Sequence, residues 1–214
     1  MVRIVAIDGP AGSGKSSVSK AVARTLGFGY LDTGAAYRAL AWAVAEGKCK
    51  LDSPFTGFDY AISLNPNDFW VRSYGVDVTE AIRSSSISSN VSKVAQIPEV
   101  RSWMKQFTRE LALASNLAGV VIEGRDITTV VFPDADVKLL LTASEEARLE
   151  RRAGELSAAE LETLRAQVLE RDAKDSKVVD FMTPAEGVSL VDTTNLNFEE
   201  SIQAVLDLVE GSAK

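Results

Sequence analysis

The run Gly9-Pro10-Ala11-Gly12-Ser13-Gly14-Lys15-Ser16 fits the pattern G-x-x-x-x-G-K-[ST], and what flanks it limits the fold sharply. Val2 to Ile7 is an apolar stretch with the length of a buried strand. Lys15 to Leu26 has helical spacing and stops at Gly27. A strand, a glycine-rich turn and a helix in that order make a P-loop. Its glycines let successive backbone N–H groups turn inward on a phosphate, and the helix adds the positive end of its dipole. The pattern implies a bound nucleoside triphosphate, with Lys15 on the β- and γ-phosphates and the Ser16 hydroxyl on Mg²⁺. Ser17 completes the expected ATP-binding set.

The chain of 214 residues is long enough for one packed domain with a small insert. A net charge of −7 argues against a nucleic-acid partner, which needs a basic face. One cysteine, Cys49, leaves no intrachain disulfide, and it is expected to be an inert residue at a helix end. There is no histidine, which removes any imidazole base or histidine-bound metal. Phosphoryl transfer suits such a chain, because it depends on positioning and charge stabilisation. No apolar run reaches membrane-spanning length, and the first one ends at Asp8. It is therefore expected to be a core strand and not a signal peptide, in a cytoplasmic protein with no membrane partner.

Beyond the first helix, Tyr30 to Gly34 is a short extended piece ending in a turn, and Ala35 to Glu46 reads as a helix closed by Gly47. From about Leu51 to Ser84 the chain is rich in Pro, Gly, Asn and Asp. Short β-like runs occur at Ala61–Leu64, Phe69–Arg72 and Val76–Val78, which suggests a small β-rich insert. Helices are expected over Ser85–Ala95 and from Pro98 to about Asn116. Val120–Ile122 is a fully apolar strand and Val137–Leu141, interrupted by Lys138, a second strand of the kind found in covered parallel sheets. Further helices are expected from Ser144, from Ser157 to about Asp172 and from Asn197, with a strand at Val188–Val191 before the last. Alternating strands and helices predict an α/β fold, a doubly wound parallel sheet of the P-loop kinase type. Ligands in such sheets sit at the carboxyl edge, where Asp8-Gly9, Asp32-Thr33-Gly34, Glu123-Gly124-Arg125-Asp126 and Asp192-Thr193 fall. Neither Asn-Lys-x-Asp, the guanine-reading motif, nor Leu-Ser-Gly-Gly occurs, which favours a small-molecule kinase.

Three more constellations carry charge to that edge. Asp32-Thr33-Gly34 with Tyr37-Arg38 opens a helix and suits a second anionic group, such as an acceptor phosphate. Arg38 alone reads equally as a solvated surface residue. Glu123-Gly124-Arg125-Asp126 follows a strand directly, either as a ligand loop or as a surface ion-pair cluster. Arg148, Arg151, Arg152, Arg165, Arg171, Lys174 and Lys177 form a basic run. That run is either a solvated helix neutralised by its own glutamates or a mobile lid closing over the transferring phosphoryl group.

Taken together, these stretches make the chain resemble the bacterial cytidylate kinases. Matching segments are Ile7-Asp8-Gly9-Pro10, Tyr30 to Gly34 with Tyr37-Arg38, Asp77-Val78-Thr79 with Ile82-Arg83, and Ser92 before Val94-Ala95. Others are Pro98 to Arg101, Glu123 to Asp126 with Thr129 to Ala135, Glu170-Arg171-Asp172 with Asp175-Ser176, and Val191-Asp192-Thr193. The resemblance implies a P-loop core over 1–50 and 86–214, a lid over about 144–178 and a nucleotide-binding insert over 51–85. It implies transfer of the ATP γ-phosphate to CMP or dCMP with Mg²⁺, by a monomer. Carried over by position, Ser92, Arg101 and Asp126 would read the base, and Arg171 and Asp175 would hold the ribose. Thr33, Tyr37, Arg38 and Arg125 would hold the acceptor phosphate, Lys15 would stabilise charge on the β- and γ-phosphates, and the lid arginines Arg148 and Arg152 would bridge donor and acceptor. Asp32 or Asp8 would position metal-bound water. One position departs from the family: Val178 stands where a further arginine is usual, and Lys177 or a lid arginine is expected to take over its contact. A kinase for another small metabolite and a non-catalytic nucleotide switch are the rival readings.

Overall fold

The computed structural model describes residues 2–153, 165–166, 172–173 and 180–212, with side chains for all of these except 152 and 153. Most of the helix expected from Ser157 lies outside the described residues. So do Arg171, Lys174, Asp175, Lys177, Val178 and the Arg152 side chain.

Five parallel strands form the central sheet in the order β2-β6-β1-β7-β8. They are β1 (Arg3–Asp8), β2 (Gly29–Asp32), β6 (Gly119–Gly124), β7 (Val137–Thr142) and β8 (Ser189–Asp192). Their side chains alternate between two separate cores, as the two-residue period of a strand requires. Ile4 and Ala6 of β1, with Val120 and Ile122 of β6, join one core with α2 (Thr33–Ala45), α3 (Ser85–Ala95) and α4 (Pro98–Leu113). Val5 and Ile7, with Val121, Leu139 and Leu141, face α1 (Lys15–Leu26) and α6 (Phe198–Gly211). Burial on both faces explains the apolar runs of β1 and β6. A further helix, α5 (Glu145–Ala153), follows β7.

A second, antiparallel sheet of β3 (Ala61–Ile62), β4 (Val71–Ser73) and β5 (Val76–Asp77) lies within the β-rich stretch. Ile62, Val71 and Val78 are buried in the same core as α2.

Helix ends follow local chemistry. Asn197 caps α6 in a full capping box with Glu200. The Asp32 carboxylate accepts from the Ala35 N–H at 2.9 Å, so α2 begins at Thr33, two residues before its expected start. The helix expected to reach Asn116 ends at Leu113 instead. Ser115 Oγ donates to the Ala112 carbonyl and Asn116 takes a left-handed φ of 55°, both of which stop the helical ladder.

Candidate active site

Strand register brings three acids to one edge. Asp8 pairs with Gly124, and Asp32 pairs with Glu123. The P-loop leaves β1 at this edge and enters α1 through Gly14, whose left-handed φ of 87° a side chain would strain. Lys15 follows. Its Nζ donates to the Pro10 carbonyl at 3.4 Å and lies 3.8 Å from the Glu123 carboxylate.

Glu123 is buried, and its other oxygen accepts from the Tyr30 hydroxyl at 2.9 Å. Burial and the nearby charge of Asp32 push its carboxyl above the ordinary glutamate range. Lys15 and hydrogen bonds from Ser16 and Tyr30 pull the other way. Sequence reasoning quoted Glu123 within a motif but gave it no role. The signal was there: a lone carboxylate in an otherwise apolar strand, aimed at a P-loop lysine.

The two acids expected to hold metal-bound water are placed differently. Both oxygens of Asp8 are engaged by the Ile127 N–H, the Thr128 N–H and the Thr128 hydroxyl, at 2.8, 2.8 and 2.6 Å. Asp8 is thus a buried clamp on the π-helical turn Ile127–Val131, and it does not line the cleft. Asp32 does line it, but it caps α2 and binds Arg38 Nη2 at 2.7 Å.

The cleft, of about 270 Å³, runs from Lys15 and Ser16 to Arg101 and Asp126. Ser88, Val91, Ser92 and Ala95 of α3 line one wall, at the spacing of a single helix face. Thr33, Tyr37 and Arg38 of α2 line another. Thr33 Oγ1 donates to the Glu123 carbonyl at 2.8 Å, fixing the start of α2 against β6. That approach needs Gly124, because a Cβ there would sit 2.6 Å from Thr33 Oγ1. Burial disfavours the Arg38 charge, yet Asp32 beside it holds the proton more tightly than usual. Arg38 Nε is buried with no hydrogen-bond partner.

At the far end Arg101 Nη2 donates to Asp126 at 2.6 Å. Burial raises the Asp126 carboxyl above the usual aspartate range, against the pull of Arg101. Burial and the Asp126 charge likewise raise the Tyr37 hydroxyl. Of residues 51–85, the segment expected to bind the nucleotide, Arg83 lines the cleft.

Of the arginines expected in the lid, Arg148 takes another place. Arg148 is buried and does not line the cleft; its Nη1 bridges the Ala11 carbonyl at 3.0 Å and the Asp172 carboxylate. Sequence spacing alone suggested a cation above the phosphoryl group, but this side chain is a strut behind the P-loop. Arg125 does line the cleft. It donates to the Gly9 carbonyl at 3.0 Å, pairs with Asp172 at 3.1 Å and lies over the Phe181 ring at 4.2 Å. Arg151 grips the outer side of the loop through the Ser13 carbonyl and Thr193. Beside it is a second cleft, of about 530 Å³, lined by Gly12, Ser16, Arg151, Leu196, Asn197 and Phe198 among others. Sequence reasoning gave no role to Asp172 and did not pick out this second cleft.

Comparison with known proteins bears on the family and the fold. A family model described as cytidylate kinase matches residues 5–211. A cytidylate kinase of Streptomyces avermitilis is 44% identical over 97% of this chain and 92% of its own. One of Streptomyces coelicolor is 45% identical over 97% and 92%. Among solved structures, an unliganded sugar kinase from Janibacter shares the fold at a TM-score of 0.50 and 14% identity, over 100% of this chain and 99% of its own. The chain belongs to the cytidylate kinase family.

Proposed function

We infer that this protein transfers the γ-phosphate of ATP to CMP or dCMP, giving ADP and the pyrimidine nucleoside diphosphate. The observation that carries the reading is one continuous cleft with a P-loop lysine at one end and the Arg101–Asp126 pair at the other. A donor phosphate and an acceptor base fit at its two ends. Lys15 and the P-loop amides stabilise charge on the β- and γ-phosphates. Arg38 and Arg125 orient the acceptor phosphate for in-line attack, and the unpartnered Arg38 Nε is a donor suited to it. Ser92, Arg101 and Asp126 read the base, while Arg171 and Asp175 hold the ribose. The donor nucleoside lies in the second cleft, against Arg151.

The Ser16 hydroxyl and the Glu123 carboxylate are hard oxygen donors, which suits Mg²⁺. Among the described residues no group of three acids, cysteines or histidines could cage a metal. When bound, Mg²⁺ would supply neutralisation of the phosphate charge during transfer. Glu123 keeps Lys15 and Ser16 in register for it. Action as a monomer in the cytoplasm belongs to the same reading.

A coupled assay with ATP and Mg²⁺ against CMP, dCMP, UMP, AMP and shikimate tests this. CMP and dCMP should turn over fastest. Preference for any other acceptor would overturn the substrate, and turnover of none would favour a nucleotide switch.

A further inference from the structure

Asp172 joins three parts of the molecule through one buried carboxylate. Its Oδ1 accepts from the Ala11 N–H at 3.1 Å and faces Arg125 Nη2 at 3.1 Å. Its Oδ2 accepts from Arg148 Nη1, which also reaches the Ala11 carbonyl. Asp172 and Arg148 therefore close a ring on the Ala11 peptide at the crest of the P-loop. Arg125 is drawn into the same ring: one nitrogen holds Asp172 and another holds the Gly9 carbonyl, with Phe181 against its face. Of the three charged groups, Arg125 is the one that lines the cleft.

We infer that Asp172 is a positioning residue for phosphoryl transfer, holding the Arg125 guanidinium and the P-loop crest in a fixed relation. The inference rests on the reading that Arg125 faces the acceptor phosphate. Gly9 and Ala11 belong to the loop that cradles the donor phosphates, so Asp172 sets the distance between acceptor and donor groups. Reaction rates are steep in that distance: a misplacement of about 1 Å costs on the order of 10²-fold. Asparagine at 172 keeps the shape but loses the charge, and its amide would set N–H groups against a guanidinium. Arg125 would then leave its position while both nucleotides could still bind.

The full-length chain carrying Asp172→Asn, Arg125→Lys or both tests this, with kcat and KM measured for CMP and for MgATP. Asp172→Asn should lower kcat on the order of 10²-fold and leave each KM within about threefold. The double variant should be no slower than the slower single one, because Asp172 acts through Arg125. A merely structural aspartate would lower Tm, shift both KM values and multiply with Arg125→Lys. Multiplying effects, or a kcat within about threefold of wild type, would overturn the inference. If Asp172→Asn does not fold, Arg148→Lys weakens the same ring from its other side. It should show the same kcat-selective loss and the same lack of additivity with Arg125→Lys; additive effects there would overturn it too. A wild-type chain that fails to phosphorylate CMP would sink the functional reading instead. An active wild type with an unimpaired Asp172→Asn sinks only this inference.

Discussion

Arg101 and Asp126 stand 25 residues apart in the sequence, yet the guanidinium Nη2 of one donates to the carboxylate of the other at 2.6 Å. One comes from the first turn of α4 and the other from the loop after β6. Each fixes the other, so the cleft ends in a rigid donor beside a rigid acceptor. Cytosine offers an N4 amino donor next to the N3 and O2 acceptors, which complements that order; uracil reverses the first two.

Lys15→Ala removes the side-chain cation built into the P-loop. Charge developing on the transferring group is then less stabilised, and kcat should fall on the order of 10²–10³-fold. Steady-state kinetics with MgATP and CMP checks this; a loss of less than about threefold would show that Lys15 does not act on the phosphates.

Much of this was legible before any coordinates. Strands buried on both faces must read as apolar runs, so β1, β6 and β7 stood out, and the spacing of α1 and α3 marked their bounds. Lys15, Ser16, Thr33, Tyr37, Arg38, Ser92, Arg101, Arg125 and Asp126 line one cleft. Illegible were the partners of charged groups. Arg148 looked like a cation for phosphate because its spacing shows which helix face it shares, not what meets that face. Its partner Asp172 lies 24 residues on. Asp8 and Asp32 both end strands at the same sheet edge, one step apart in register, and the π-helical turn packed on β1 makes Asp8 a clamp.

That clamp has a testable cost. Asp8→Asn sets an amide donor against the Thr128 N–H, leaving a buried polar group unmatched, worth about 1–3 kcal/mol. The turn after Asp126 should loosen. Tm should drop and the KM for CMP rise, while the KM for ATP changes by less than about twofold. Equal increases for both substrates would place Asp8 in general stability alone.

Glu123 gives a pH dependence with a definite sign. Its carboxyl is raised above the ordinary 4.5 by burial first and by Asp32 second. The folded chain therefore holds this proton more tightly than the unfolded chain. Its contribution to stability is lost as pH rises from the ordinary value through the raised one. Glu123→Gln cannot ionise, so its Tm relative to wild type should improve as the pH rises above the ordinary 4.5 through the raised value. Thermal melts of both proteins across that range decide it, and an opposite trend would mean that Lys15 outweighs burial.

Base choice is the most direct test of the functional reading. Asp126→Ala removes the acceptor for N4 and leaves Arg101 without its partner. A site that hydrogen-bonds a substrate group rejects a mismatched one by roughly 10⁴ or more, and that discrimination should collapse. The measurement is kcat/KM for CMP and for UMP in the wild type and in Asp126→Ala. The predicted result is a large loss for CMP, little loss for UMP and a ratio near parity. An unchanged CMP-to-UMP ratio would contradict the placing of Asp126 at the base and, with it, the assignment of this cleft to cytosine.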